Sequence, residues 1–260
     1  MKYTERVAKQ LLEHCIAGAR VEFKDEQANG EHDFDLYAPD GVRAVVEVTA
    51  SVDQRYVESR RAISSPSKGG VFVPGALVTS SWYVHLTQSA RVNEVRKKID
   101  AMLAAVEATG VTEFFAPTDS YDNESIKQIW TVLGVEHGRI TNWKHGKFIC
   151  LGSPGQSTCV SATHILLAVN RALSKKDNLR KLSQTDGSKS HLFLWIDSSS
   201  YDAWAAMQRR LVPAASPKLP AMTSDIWVAA TVGPGETVRI IHFVDDAWVD
   251  LGEIALPASE

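Results

Sequence analysis

The chain has 260 residues, with 28 lysines and arginines against 31 aspartates and glutamates, so its formal net charge at pH 7 is −3. Hydrophobic residues make up 44% and charged residues 23%, which is typical of a soluble globular protein. No apolar run approaches the roughly 20 residues that span a bilayer, and three cysteines are too few for a disulfide scaffold or a four-cysteine zinc site. The charged N-terminus does not resemble a signal peptide, so we expect a cytoplasmic protein with one large domain or two small ones.

The first predicted elements are a helix over residues 4–17 and a strand over residues 20–24. Apolar side chains recur at helical spacing in the first segment and form one continuous arc. Glu5 falls inside the edge of this arc, so its carboxylate is predicted to point at the rest of the fold. A buried carboxylate is expected to have a partner, because burying a charge without one is costly. The alternative is that Glu5 is a first-turn acid favoured by the helix dipole.

An acidic hairpin is predicted next, over residues 33–50, around a central Asp-Gly turn. Because side chains alternate along a strand, Asp33 and Asp35 share one face of the first strand, and Glu47 interrupts an apolar second strand. A three-residue turn would set Asp33 directly opposite Glu47. A two-residue turn would bring Asp35 within reach of Glu47 only if the sheet twists or bulges there. The sequence leaves this register open.

The rest of the chain alternates between predicted helices and strands. Helices are expected over residues 53–64, 88–109, 123–133 and 161–182, and strands over residues 75–86, 148–151, 191–196, 226–231 and 237–244. This pattern predicts the α/β (α+β) fold class, with a mixed β-sheet flanked by helices. We expect a core over residues 1–110 and an α+β extension over residues 111–260, packed on the core or forming a second small domain.

The acids of the first helix and the hairpin are the residues that indicate chemistry. Carboxylates that converge on one face repel one another, and they are stable as an ionised set if a divalent cation lies among them. Mg²⁺ or Mn²⁺ favours such an all-oxygen site and can activate water or neutralise charge on a phosphodiester. Two alternatives stay open. Asp33 and Asp35 could lie on a solvated strand face, and Glu47 could form a buried ion pair with an arginine.

This arrangement resembles the PD-(D/E)xK, or restriction-endonuclease-like, nuclease superfamily over roughly residues 1–85. It is most similar to the Holliday-junction resolvases, on the basis of Glu5, Asp35 before the turn and Glu47 on the next strand. The resemblance implies a restriction-endonuclease-like core that cuts DNA with Mg²⁺, with Asp35 and Glu47 as metal ligands and Glu5 as an outer-shell or second-metal carboxylate. Asp33 is the alternate ligand. The whole chain also resembles a group of uncharacterised bacterial proteins, which implies no function.

The sequence departs from the family pattern at Thr49, where the family has a lysine. The lysine ammonium orients a water and stabilises the charged transition state, whereas a threonine hydroxyl can place a water but supplies no positive charge. A substitute cation could come from Arg55, Arg60 or Lys68. If none does, the site is weak or inactive.

The sequence therefore predicts a Mg²⁺- or Mn²⁺-dependent DNA endonuclease or related phosphodiesterase, with Glu5, Asp35, Glu47 and Thr49 as its catalytic residues. The alternative is a nuclease-like fold that has lost catalysis and binds nucleic acid or a protein partner. Basic helix faces in the middle of the chain could contact phosphates, although such faces are more often simply solvated. A homodimer is a further expectation, because many such nucleases cut two strands with two subunits.

Overall fold

The structure is a computed structural model that describes residues 3–24, 31–64, 72–87, 90–142, 147–152, 160–183, 188–232 and 237–256. The chain forms two compact units. Unit 1 comprises residues 1–52 and 157–260, and unit 2 comprises residues 53–156. This division differs from the expected boundary at residue 110, because the second unit is inserted in the sequence between two parts of the first.

Unit 1 is built on a seven-stranded mixed sheet. Its strands are β1 (Arg20–Phe23), β2 (Phe34–Tyr37), β3 (Arg43–Ser51), β9 (Lys189–Ile196), β10 (Thr223–Thr231), β11 (Thr237–Val244) and β12 (Ala247–Ala255), and this is also their order across the sheet. Strand β3 runs parallel to β9, and β9 runs parallel to β10, whereas the outer pairs are antiparallel. The acidic hairpin β2–β3 therefore lies beside a strand that is distant in sequence.

Helices cover both faces of this sheet. Helix α1 (Tyr3–Cys15) packs its apolar arc against one face, in a core that includes Phe34, Val46 and Phe193. Helices α6 (Thr163–Ser174), α7 (Lys176–Ser183) and α8 (Tyr201–Gln208) cover the other face, in a core that includes Leu192 and Leu194. Alternation along β9 thus supplies side chains to both cores, as expected for a strand buried on both faces.

The turn of the acidic hairpin has three residues. Phe34 lies opposite Val46, and the amide of Ala38 donates to the carbonyl of Val42, so residues 39–41 form the turn. Gly41 adopts a positive φ of 82°, which glycine accommodates without a Cβ clash. Of the two registers that the sequence left open, this is the one that brings Asp33 toward Glu47.

Unit 2 has a five-stranded sheet in the order β4 (Phe72–Pro74), β8 (Phe148–Gly152), β5 (Ser81–Leu86), β7 (Val135–Thr141) and β6 (Glu113–Phe115). Its helices are α2 (Gln54–Ser64), α3 (Val92–Glu107), α4 (Ala116–Asp119) and α5 (Glu124–Leu133). All four contribute buried or partly buried apolar side chains to one core, together with Trp82, Val84 and Leu86 of β5. That core lies on one face of the sheet.

The predicted fold class is confirmed, since both units are mixed sheets flanked by helices. The helix predicted over residues 161–182 divides into α6 and α7 because Lys175 is extended, with φ −65° and ψ 126°. Within the described ranges, none of the helices combines the length and the apolar character needed to cross a lipid bilayer.

Candidate functional site

Two buried carboxylates meet on the hairpin of unit 1. The amide of Asp33 donates to the carbonyl of Val46, and the amide of Val48 donates to Oδ2 of Asp33 at 2.7 Å, so Asp33 is held against β3 just before β2 begins. Asp33 and Glu47 both contact Lys181 of α7, so they lie on the sheet face covered by α7. Asp33 and Glu47 are each only 4% exposed. Antiparallel pairing with a three-residue turn is therefore what brings these acids together.

A lysine from a distant part of the sequence completes the pair. Nζ of Lys181 lies 3.0 Å from Oε1 of Glu47 and 3.9 Å from Oδ1 of Asp33. Lys181 belongs to α7, which buries Asn178 and Leu182 and packs on β3 and β9. Because Lys181 directly precedes Leu182, the packing that buries the leucine also holds the ammonium near the edge of the buried face.

The electrostatics of the pair favour a retained proton. Burial, together with the charge of Asp33, raises the pKa of Glu47 to about 8, although the bond from Lys181 acts in the opposite direction. Burial also raises the pKa of Asp33, against the amide of Val48 and the charge of Lys181. One ammonium lies beside two carboxylates and cannot balance the charge of both. The pair therefore holds a proton more firmly than an exposed acid does.

Glu47 has a buried oxygen with unmet bonding capacity. Oε1 accepts a hydrogen bond from Lys181, but Oε2 is buried and has no hydrogen-bond partner among the described residues. The carboxyl of Glu47 also lies within hydrogen-bond reach of the carboxyl of Asp33. Two ionised carboxylates cannot donate to one another, so this contact needs a shared proton, or a cation or a water in its place.

Glu5 is the third acid near the pair. It is 3% exposed, as the sequence predicted, and its charge raises the pKa of Asp33. However, the described part of the chain contains no cluster of three or more histidines, cysteines, aspartates or glutamates arranged to hold a metal. A cation at this site would therefore take its protein ligands from Asp33 and Glu47.

Asp35, the ligand favoured by the resemblance, is placed in a different network. Its carboxylate bonds to Lys24, His32 and Arg43, each at 2.8 Å. Burial opposes its ionisation, but these three contacts outweigh the burial and lower its pKa. Asp35 therefore belongs to an ion network with Lys24, His32 and Arg43. Asp33, and not Asp35, lies beside Glu47.

The sequence has Thr49 where the resemblance implies a lysine, and the structure places a different lysine, Lys181, beside Glu47. Thr49 follows Glu47 on the same face of β3 and is half-buried. Of the substitute cations considered from the sequence, Arg60 is exposed on α2 in unit 2, and Lys68 and the side chain of Arg55 lie outside the described residues. The sequence placed Lys181 on a basic helix face, but only the pairing of β3 with β9 shows which acid it meets.

A second buried polar cluster in unit 1 has a complete set of bonds. Asp225 accepts from His242 at 2.9 Å and lies 3.2 Å from Nε2 of His191, while Trp227 donates to Nδ1 of His191. Burial lowers the pKa of His191 to about 4, so this ring is neutral near pH 7. The network joins β9, β10 and β11, and we assign it a structural role.

The comparisons with known proteins assign no family to the chain: no family model, no curated protein and no solved structure matches it. Two carboxylates can hold a hard divalent cation when water and a substrate phosphate complete its coordination, which is the usual arrangement for Mg²⁺. The bare Oε2 of Glu47 fits such a ligand.

Proposed function

We propose that unit 1 is a Mg²⁺- or Mn²⁺-dependent phosphodiesterase that cuts DNA, with Asp33, Glu47 and Lys181 as its central groups. The observation that carries the proposal is that the buried carboxyls of Asp33 and Glu47 meet beside a single ammonium, that of Lys181. A divalent cation can take the place of the proton that this pair otherwise retains. The set of aspartate, glutamate and lysine has the composition of the PD-(D/E)xK site, with the lysine supplied from α7. The helix, strand and acidic hairpin precede it in the order on which that resemblance rests.

The charges of these three groups suit a divalent cation followed by a phosphodiester. Once the retained proton is released, the two carboxylates and one ammonium carry a net charge of −1, which a divalent cation reverses to +1. A positive site of this kind attracts the anionic substrate. Bound between Asp33 and Glu47, the cation would supply Lewis-acid polarisation of a phosphoryl oxygen and lower the pKa of a bound water.

Lys181 supplies the positive charge that does not depend on the cation. Burial lowers its pKa, but the bond and charge of Glu47 outweigh this and raise it, so the ammonium persists at neutral pH. Its three donors can hold a water or stabilise charge that develops on the phosphate. Thr49 can place a water from the same strand face, and Glu5 adds negative charge behind Asp33.

The proposal is tested by cleavage of plasmid and single-stranded DNA with Mg²⁺, with Mn²⁺ and with EDTA. We expect EDTA-sensitive cleavage that is lost in Glu47→Gln and Asp33→Asn. Asp35→Asn is the matched control, because Asp35 is equally buried but bonds to a different set of cations. Absence of EDTA-sensitive cleavage, or full cleavage by Glu47→Gln, overturns the proposal.

A second candidate is a nuclease-like module that binds nucleic acid or protein without cutting. The contact between Lys181 and Glu47 favours it, because an ion pair already occupies one oxygen of the site. This candidate would be supported if the affinity for DNA depends on salt but not on divalent cations, and if no cleavage occurs. The homodimer and the cytoplasmic location stay predictions.

A further inference from the structure

The sheet of unit 2 presents aromatic rings on the face opposite its helices. Along β5, Trp82, Val84 and Leu86 enter the core, so Tyr83 and His85 point to the other face. Strand pairing extends this face across the whole sheet. Each of the five strands contributes at least one ring to it: Phe72 on β4, Phe148 on β8, Tyr83 and His85 on β5, His137 on β7 and Phe115 on β6. We call this surface the ring face.

The rings of the ring face contact one another in groups. Tyr83 and His85 meet edge to face with centroids 4.8 Å apart, and His85 stacks on His137 at 5.6 Å. Phe72 and Phe148 form a second edge-to-face pair at 6.0 Å. Phe72 is 38% exposed although it is large and apolar. Phe115 is equally exposed, and the other rings of the face are half-buried, so part of each ring is open to solvent.

Gly152 shapes the centre of this face. It lies opposite His85 on β8, and a Cβ at this position would stand 2.8 Å from Oη and 3.1 Å from Cζ of Tyr83. The tyrosine side chain therefore reaches across Gly152, which only a residue without a Cβ permits. Alanine at position 152 would displace the Tyr83 ring.

The ring face also carries a cation. Arg139 on β7 is exposed, and its guanidinium lies 5.9 Å from the centroid of the Tyr83 ring. Glu113, the residue opposite Arg139, bonds to His137 at 3.1 Å instead. Within the described ranges no acid forms an ion pair with Arg139, so its charge is available to an anion.

We propose that the ring face binds single-stranded nucleic acid, with bases stacked on its rings and a backbone phosphate at Arg139. Open sheets with accessible aromatic side chains stack two or three bases in this way, and arginine adds both stacking and charge. A single strand fits because its bases are exposed, whereas the bases of a duplex are covered by their neighbours. The proposal does not depend on the carboxylates of unit 1, so it succeeds or fails apart from the proposed nuclease activity.

The test is fluorescence anisotropy with the full chain in EDTA, using a labelled 12-nucleotide oligothymidylate and a duplex of the same length. We expect preference for the single strand. Tyr83→Ala should weaken binding about tenfold, because it removes one stacking surface, while Tyr83→Phe should retain it. Arg139→Gln should reduce the slope of log affinity against log salt concentration by about 0.7, the value of one phosphate contact on a single strand.

Two control variants separate binding on the ring face from general charge attraction and from binding at the carboxylates of unit 1. Lys98→Gln removes an exposed charge from α3, on the helical side of unit 2, and should leave binding unchanged. Glu47→Gln should also bind normally, even though it is expected to abolish cleavage. The proposal is overturned if neither oligonucleotide binds or if the protein prefers the duplex. It is also overturned if Tyr83→Ala and Lys98→Gln weaken binding equally.

Discussion

The substitution Glu47→Gln tests the electrostatics of the carboxylate pair without any assumption about catalysis. Glutamine keeps the size of the side chain but cannot ionise. In the native protein, burial and the charge of Asp33 raise the pKa of Glu47 from 4.5 to about 8. In the unfolded chain the carboxyl titrates near its ordinary value. The native state therefore retains a proton that the unfolded state releases.

This difference fixes the sign and the size of the pH effect. The stability that Glu47 contributes in its protonated form is fully present below about pH 4.5 and is lost as the pH rises to about 8. At about 1.36 kcal/mol per pKa unit, the loss amounts to at most about 5 kcal/mol. Glutamine does not suffer this loss. The variant should therefore gain stability relative to the wild type as the pH rises.

The assay is equilibrium urea unfolding at about pH 5 and about pH 8.5, in EDTA, for the wild type and Glu47→Gln. Asp250→Asn is the control. Asp250 accepts hydrogen bonds from Arg239 and from the amide of Gly252, and these contacts lower its pKa against the effect of burial. Its contribution is lost only at still lower pH, so its removal should cost the same at both values. In separate samples without EDTA, Mg²⁺ at 100 times its dissociation constant should stabilise the wild type at pH 8.5 by about 2.7 kcal/mol, and it should not stabilise Glu47→Gln.

One result would refute the reasoning directly. If the difference in unfolding free energy between Glu47→Gln and the wild type is the same at both pH values, Glu47 is ionised throughout this range. Its charge would then be fully balanced by Lys181, and the site would be an ordinary buried ion pair. Such a result would remove the main support for a cation site between Asp33 and Glu47.

Three further predictions concern single positions. Lys181→Met should slow DNA cleavage about 100-fold, because it removes a cation that stabilises developing charge, whereas Lys176→Met, exposed on the same helix, should cleave normally in the same assay. Contacts with two histidines outweigh burial and lower the pKa of Asp225 to about 2, so its stabilising effect is present above about pH 3.8 and is lost as the pH falls through about 2. Asp225→Asn should therefore lower the stability at pH values above about 3.8, and an unchanged melting temperature at about pH 5 would contradict this. Gly138→Ala would set a Cβ 2.5 Å from a buried phenylalanine ring, so we expect a loss of about 1–3 kcal/mol from overpacking, measured by thermal unfolding.

The fold class and the main elements could be predicted because their signals are local. The stripe of apolar residues in α3 and the apolar run of β9 identify a helix and a strand without reference to the rest of the chain. The burial of Glu5 also follows from its position on the helix. The short strands β4 and β6 were not predicted, since three residues are too few to establish a period.

The boundary between the units could not be predicted from the sequence. Residues 53–156 form their own sheet and core, but the pairing of β3 with β9 rejoins the two parts of unit 1 across this insertion. Pairing between strands so distant in sequence is decided by packing. Local periodicity carries no signal of it.

The sequence by itself determined that acids lie on the hairpin and that Glu47 interrupts an apolar strand. It could not choose between Asp33 and Asp35, because both lie on one face and the choice depends on the length of a turn. Tertiary structure decided that a three-residue turn sets Asp33 beside Glu47, while Lys24, His32 and Arg43 hold Asp35. It also brought in Lys181, 134 positions away from Glu47, because only the packing of α7 on β3 relates them.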